Sequence, residues 1–98
     1  MLILYADNDT DDLQLFCEVV GLIDSNISCI TVQSGEEALT TLEHSLPDCI
    51  FLDINMGFMG GEKCLKIIKE DKRYSHIPVV MYSTHIKDNN AYIRLGAV

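Results

Sequence analysis

The chain has 98 residues, which is enough for one domain with a single hydrophobic core. Asp and Glu number 15 against 7 Lys and Arg, so the net charge of -8 argues against direct binding to nucleic acid or to an anionic membrane surface. Hydrophobic residues make up 48% of the chain, and no apolar run is long enough to span a bilayer. The N-terminus lacks the basic region of a signal peptide, and we therefore expect a cytoplasmic protein.

Four short apolar runs predict β-strands, and amphipathic patterns between them predict helices. The runs cover residues 2–6, 27–32, 49–53 and 78–84. Residues 27–32 are less uniformly apolar than the others, which is typical of a strand at the edge of a sheet. Because strands alternate with helices over short connections, the sequence predicts an α/β fold with a parallel sheet.

Capping signals predict where the helices begin and end. Asp9 is the expected N-cap of the first helix, and Ser34 opens a capping-box pattern with Glu37. Pro47 is expected to end the second helix, and a last helix is expected over residues 88–95. The residues expected on buried helix faces are Leu13, Phe16, Cys17, Val20, Ala38, Leu39, Leu42, Leu46, Cys64, Leu65, Ile67 and Ile68. Those expected to face water are Lys63, Lys66 and Lys69, and those expected to need glycine's backbone freedom are Gly57, Gly60 and Gly61.

Polar side chains follow three of the predicted strands. Asp7 and Asn8 come after the first strand, Asp53 closes the run 49–53, and Ser83 lies near the end of the last run. Because the carboxyl ends of parallel strands lie on one edge of a sheet, we expect these side chains to converge. Two carboxylates about 4 Å apart repel by roughly 4 kcal/mol at an effective dielectric near 20, and a hard dication relieves that repulsion. Oxygen-only ligands point to Mg²⁺ rather than to zinc or copper.

A phosphoryl group fits this predicted site. A bound Mg²⁺ would screen the charge of Asp53 and bridge it to an incoming phosphoryl group, while the Ser83 hydroxyl would donate a hydrogen bond to a phosphoryl oxygen. Asn55 lies two residues beyond Asp53, and His85 lies two residues beyond Ser83 with Thr84 between them. We therefore expect Asn55, Thr84 and His85 to flank the phosphoryl group.

Several segments match one known pattern when they are taken together. They are the acidic strand end at residues 6–9, the segment 51–56 with Met59 and Gly61 after it, the strand at residues 78–83, and the segment 94–97. With these segments the whole chain resembles a response-regulator receiver domain, the chemotaxis-type (CheY-like) switch of two-component signalling. The resemblance implies a flavodoxin-like, doubly wound parallel sheet of strand order 2-1-3-4-5 in three α/β/α layers, with residues 1–98 forming one domain.

The resemblance also implies a role for each site residue. Asp53 would accept a phosphoryl group from a histidine kinase or a phosphotransfer protein, and the domain would then change its surface for a downstream protein target. Asp7, Asn8, Asp53 and the backbone carbonyl of Asn55 would hold Mg²⁺, and Ser83 would be the switch hydroxyl. Such a domain is not an enzyme with a separate substrate, since it catalyses only its own phosphotransfer and autodephosphorylation.

The chain departs from the family pattern at three places. Asn8 stands where the family usually has a second acidic residue, so one metal ligand is neutral. Gly57, followed by Phe58, replaces a usual proline. The family continues beyond the position of Val98 with a strand that bears a lysine and a switch aromatic, and then with a helix. We expect the natural protein to continue in the same way; otherwise the open edge at residues 79–83 would pair with a partner or in a dimer.

Two other functions are compatible with the sequence. Because Asn8 is neutral, the chain could be a degenerate receiver that is never phosphorylated and acts as a protein-interaction module. A phosphatase similar to the haloacid dehalogenases is the second alternative, since Asp7 and Asp9 form an aspartate-x-aspartate element after a strand. In that enzyme Asp7, not Asp53, would be the nucleophile.

Overall fold

A computed structural model describes residues 1–54, 56 and 59–82 of the chain. The elements alternate along the chain as β1 (Leu2–Ala6), α1 (Thr10–Ile23), β2 (Ser28–Val32), α2 (Gly35–Leu42), β3 (Cys49–Asp53), α3 (Gly61–Glu70) and β4 (Val79–Tyr82). The helix predicted over residues 88–95 lies outside the described residues. Within the described ranges, no helix is long and apolar enough to cross a membrane.

The strands form one parallel sheet whose order is β2-β1-β3-β4. This order confirms the doubly wound arrangement, because the chain moves from β1 outward to β2 and then returns past β1 to β3 and β4. Strand β2 lies at the edge, as its mixed composition predicts. Strand β1 pairs on both sides, so its backbone is enclosed between β2 and β3.

The side chains of each strand point alternately to the two faces of the sheet. Leu4 and Ile50 point to the face that carries α2 and α3, where they join the main hydrophobic core. Tyr5 and Phe51 point to the opposite face, where both rings contact Phe16 of α1. Successive side chains of a strand point to opposite faces, so the central strands are covered on both sides. The result is the predicted three-layer α/β/α fold.

Helix α1 begins as predicted, and the predicted stripe residues Phe16, Cys17 and Val20 are half-buried. The Asp9 carboxylate accepts hydrogen bonds from the backbone N–H groups of Asp11 at 2.9 Å and Asp12 at 3.3 Å, which confirms the N-cap. Leu13 is buried, but other apolar residues of the helix face water, namely Leu15, Val19, Leu22 and Ile23. The hydrophobic composition of this helix therefore overstates its share of the core.

The capping box at α2 forms with a shifted second partner. The Ser34 hydroxyl accepts from the Glu37 N–H at 3.1 Å, as predicted. The Glu37 carboxylate, however, accepts from the N–H of Gln33 at 2.9 Å rather than from Ser34. The donor lies one residue before the N-cap, so the side chain of Glu37 ties the end of β2 to the start of the helix.

Helix α2 ends earlier than the sequence predicts. Its last residue is Leu42, not a residue next to Pro47, and Leu46 is 59% exposed instead of buried. The backbone N–H groups of Glu43 and Ser45 donate to carbonyls of the last helical turn, which closes it tightly. The apolar periodicity carries on for one turn after the backbone has left the helix, which is why the prediction for Leu46 was wrong.

Two predictions for α3 were also wrong. Ile67 lies at the rim of the helix and is 36% exposed. Lys69 does not simply face water, because its Nζ donates to the carbonyl oxygens of Ser75 at 3.1 Å and Ile77 at 2.8 Å. Burial lowers the pKa of Lys69 accordingly. This lysine fastens the connection between α3 and β4, a contact that periodicity alone does not reveal.

Close packing, not backbone conformation, explains the glycine at the start of α3. A Cβ at Gly61 would overlap the carbonyl oxygen of Asp53 and lie 3.0 Å from the Cα of Ile54. The N–H of Gly61 donates to the Ile54 carbonyl at 2.9 Å. Gly60 has an ordinary extended backbone, so the prediction of unusual conformations is wrong for these two glycines, and Gly57 lies outside the described residues. Helix α3 therefore begins directly against the end of β3.

The four cysteines are free thiols. Cys64 is fully buried between α3 and the start of α2, whereas the others are half-buried. Burial, with a smaller contribution from the charge of Glu36, raises the pKa of the Cys64 thiol to about 12. Since the thiolate is the reactive form, this thiol should be chemically inert in the folded protein.

We expect native-state alkylation to rank the cysteines by burial. At pH 8 iodoacetamide should modify Cys64 at least about tenfold more slowly than the half-buried Cys17, because Cys64 is both enclosed and protonated. Peptide mapping over time measures the two rates, and the same reaction in denaturant is the control, where the rates should converge. Equal rates in the native protein would contradict the packing of α3 against α2.

We expect Gly61→Ala to destabilise the fold by about 1 to 3 kcal/mol, because the added methyl group overlaps the backbone at the end of β3. Gly21→Ala is the matched control: it lies within α1 with nothing near its missing Cβ, and should stabilise by about 0.5 to 1 kcal/mol through helix propensity. Urea denaturation measures both changes. A Gly61→Ala protein at least as stable as the parent would show that α3 does not need this close approach.

Candidate functional site

Asp7 is a carboxylate buried at the carboxyl end of β1. Its exposed fraction is 1%, and it is the one buried charged side chain among the described residues. One carboxylate oxygen accepts from the N–H of Asp9 at 2.9 Å, and the other accepts from the hydroxyl of Tyr5 at 2.9 Å. Its own N–H donates to the Val32 carbonyl at 3.1 Å, which continues the pairing with β2. Asp7 is thus held by groups on three sides.

Strand register brings Asp53 beside Asp7. Ala6 pairs with Leu52 in the parallel ladder, so the residues that follow each of them are Asp7 and Asp53. Asp53 is half-buried and ends β3, and its backbone is fixed on the next side by pairing with Tyr82 of β4. Its carbonyl region is also the surface against which Gly61 packs. The parallel register therefore places the ends of β1 and β3, which carry Asp7 and Asp53, side by side on one edge of the sheet.

The residues after Asp7 have separate roles. Asn8 is exposed, at the same edge of the sheet. Asp9 turns back to cap α1, so its carboxylate is engaged with the first turn of that helix. The other residues predicted for the site, Asn55, Ser83, Thr84 and His85, lie outside the described residues. The described part of the site thus consists of Asp7, Asn8 and Asp53 with their supports.

The edge of the sheet around α1 carries a negative potential. The pKa of Asp12 is raised, first by partial desolvation and then by the charges of Asp9, Asp7 and Asp11. A carboxyl whose pKa is raised by neighbouring carboxylates lies in a field that favours cations. The net charge of -8 acts in the same direction.

The donor set fits a hard cation that keeps part of its water shell. Within the ranges that the structure describes, no group of three or more His, Cys, Asp or Glu residues could hold a metal. Mg²⁺ sites typically use one or two carboxylates, with waters and phosphate oxygens completing the octahedron. Asp7 and Asp53 supply two carboxylates, and the side-chain carbonyl of Asn8 is a neutral oxygen donor. Soft metals are disfavoured because none of these groups is a thiol or an imidazole.

Three aromatic rings, those of Tyr5, Phe16 and Phe51, support the site from the α1 face. The sequence analysis did not predict this cluster. The ring of Tyr5 makes an edge-to-face contact with Phe16 at a centroid distance of 4.3 Å and lies 6.4 Å from Phe51. Phe16 and Phe51 are 5.1 Å apart. Tyr5 is two residues before Asp7 on the same face of β1, and that i, i+2 spacing was the signal that could have revealed their contact.

Comparison with known proteins supports this fold over nearly the whole chain. The family model for the response regulator receiver domain matches residues 3–98. The chain is 29% identical over 96 residues to the polar-differentiation response regulator DivK of Brucella ovis, covering 97% of this chain and 76% of DivK. The structure of the phosphorylated cyanobacterial phytochrome response regulator RcpA superposes with a TM-score of 0.89 at 28% identity, covering 98% of this chain and 75% of RcpA.

A second relative matches over a shorter stretch. The DNA-binding transcriptional regulator NtrC of Klebsiella pneumoniae is 38% identical over 64 residues, which is 65% of this chain and 13% of NtrC. The similarity is therefore to one part of that larger regulator. The family match extends over both strand ends that carry Asp7 and Asp53 as well as the helices that position them. The chain belongs to the response regulator receiver domain family and has its α/β flavodoxin-like fold.

Proposed function

We propose that this receiver domain is a phosphorelay switch whose phosphoacceptor is Asp53. The observation that carries the proposal is the pairing of two strand ends, which sets Asp53 beside the buried carboxylate of Asp7. Asp53 is partly accessible and Asp7 is enclosed, so a phosphoryl donor that reaches this edge meets Asp53 first. The phosphorylated state of RcpA, a relative of the same fold, adds to the support.

In the proposed reaction a carboxylate oxygen of Asp53 attacks the phosphorus of a phosphohistidine. An O–P bond forms, the P–N bond breaks, and the departing imidazole takes a proton. Asp7, Asp53, the Asn8 side chain and the Asn55 carbonyl would hold a Mg²⁺, which would neutralise charge on the phosphoryl oxygens when bound. Asp7 contributes a fixed negative charge, held by Tyr5 and by the Asp9 N–H. Fixed geometry at the acceptor lowers the entropic part of the barrier.

The consequences of phosphorylation follow from the same residues. Water attack on the acyl phosphate returns Asp53 to its free form, so the domain times its own signal and needs no separate substrate. Ser83 is proposed to donate a hydrogen bond to a phosphoryl oxygen, and Thr84, His85 and Asn55 to flank it. A histidine kinase or a phosphotransfer protein is the proposed donor in the cytoplasm, and a downstream protein is the proposed reader of the changed surface.

A degenerate receiver is the second candidate function, and Asn8 favours it. A neutral side chain at the exposed position of the site removes one of the charges that attract a dication. A domain that binds no Mg²⁺ and accepts no phosphoryl group would act through its surface alone. Phosphorylation and metal binding separate the two functions directly.

We expect incubation with acetyl phosphate and Mg²⁺ to add a single phosphoryl group to the parent protein and none to Asp53→Asn. Intact mass and peptide mapping measure the adduct. Asp24→Asn, an exposed carboxylate at the far end of α1, is the control and should behave as the parent. An adduct that persists in Asp53→Asn and maps to Asp7 would favour the phosphatase alternative, and no adduct in the parent would favour the degenerate receiver.

We expect Asn8→Asp to bind Mg²⁺ at least about fivefold more tightly than the parent, since one added charge at 4 Å from a cation contributes about 1 kcal/mol per unit of cation charge even in bulk water. Calorimetric titration at constant ionic strength measures the affinity. Asn26→Asp, in the exposed turn after α1, controls for the change in net charge. If Asn8→Asp and Asn26→Asp bind Mg²⁺ equally, Asn8 does not belong to the cation site.

A further inference from the structure

The hydroxyl of Tyr5 lies inside the fold, beside the candidate cation site. Tyr5 is 3% exposed, and its hydroxyl donates to a carboxylate oxygen of Asp7 at 2.9 Å. Asp7 itself is 1% exposed. Both partners of the hydrogen bond are therefore shielded from water, and such a bond to a charged group is stronger than an exposed one.

Packing fixes the direction of that hydroxyl. The Tyr5 ring is held edge-on by Phe16 and faces Phe51, and its backbone is paired on both sides in the sheet. A ring that is confined in this way cannot swing its hydroxyl toward water without disturbing α1. The donor is thus aimed at Asp7 before any ligand arrives, which is the meaning of preorganisation.

A buried carboxylate requires compensation for its charge. Among the described residues the ion pair that the structure contains is Arg73 with Asp71, at the other side of the fold, and no described Lys or Arg pairs with Asp7. The described donors to its oxygens are the Tyr5 hydroxyl and the N–H of Asp9. Of these two donors, only the Tyr5 hydroxyl belongs to a side chain, so only this donor depends on which amino acid occupies the position.

We propose that Tyr5 is a positioning residue for the cation site: its hydroxyl holds the Asp7 carboxylate in place and partly compensates its charge until a divalent cation takes over that role. The inference rests on the proposed function, since it concerns the cation of that same site. A hydrogen-bond donor and a cation both draw on the negative charge of one carboxylate, so each weakens the other. Tyr5 therefore stabilises the cation-free domain and moderates its affinity for Mg²⁺.

Tyr5→Phe tests this with the loss of one oxygen atom. In cation-free buffer the variant should have a lower Tm than the parent, because Asp7 keeps its burial and loses a donor. Its Mg²⁺ affinity should be roughly threefold or more tighter, a fraction of what a hydrogen bond to a charged group is worth. Added Mg²⁺ should therefore raise the Tm of Tyr5→Phe more than that of the parent.

Tyr74→Phe is the matched control. Tyr74 is also buried, at 5% exposure, but it lies in the connection between α3 and β4, far along the chain from the site. The loss of the Tyr74 hydroxyl should leave the Mg²⁺ affinity at the parent value. A Tyr5→Phe protein with unchanged or weaker Mg²⁺ binding would overturn the inference, whatever its Tm, because a purely structural hydroxyl changes stability without changing affinity in this direction.

A double-mutant cycle separates this inference from the proposed function. The Tm values of Tyr5→Phe, Asp7→Asn and the double variant are measured in cation-free buffer, where the loss caused by Tyr5→Phe should be smaller once Asp7 is neutral. Additive effects would overturn the role of Tyr5 even if the parent binds Mg²⁺. A parent that binds no Mg²⁺ but shows the coupling would overturn the proposed function and the moderating effect on the cation, and would leave Tyr5 as a stabiliser of Asp7 alone.

Discussion

The burial of the Asp7 carboxylate is the constraint on which the rest of the site depends. A charge that is 1% exposed would be strongly destabilising without donors, and the fold supplies them from its own chain. Strand β1 places Tyr5 two residues earlier on the same face, and the turn into α1 presents the N–H of Asp9. Because these donors belong to a paired central strand and to a helix start, the position of Asp7 cannot change without loosening both.

The period of the strands lets one short sheet build a core and a site together. Leu4, Ala6, Ile50 and Leu52 lie on one face and are fully buried with α2 and α3. The residues between them point to α1 and lead, along the same face, to the carboxylates at the strand ends. A shift of register by one residue would exchange the two sets and place the carboxylates in the hydrophobic core. Core packing therefore also fixes the orientation of the site.

Much of this arrangement could be predicted from sequence, because each part has a local cause. Continuous apolar runs predicted the strands, the mixed run predicted the edge strand β2, and Asp9 predicted the start of α1. The convergence of Asp7 with Asp53 followed from parallel pairing alone. These inferences need only the chain's own periodicity and the shared edge of parallel strands.

The sequence-based predictions were wrong or incomplete where a contact joins elements distant in sequence or where a helix ends. Leu46 continues the apolar period of α2 although the backbone has already turned, and Lys69 reaches carbonyls beyond the end of α3. Gly61 is required by the backbone of another element, which composition cannot show. The role of the Tyr5 hydroxyl was not predicted, because a tyrosine within an apolar run is interpreted first as a hydrophobic core residue. Each case concerns geometry between elements, for which a single sequence carries little signal.

The three residues after β1 have different structural roles, and only Asn8 can be substituted with little effect on the fold. Asp7 points inward and is held by donors, and Asp9 caps α1, so a change at either residue would disturb the fold as well as the charge. Asn8 between them is exposed, and its substitution can alter the charge of the site with little effect on packing. The neutral residue therefore stands at the one position of this segment where the local charge can vary with little effect on stability. Under the proposed function, a substitution at Asn8 would change the affinity for Mg²⁺ while the Asp7 carboxylate stays in place.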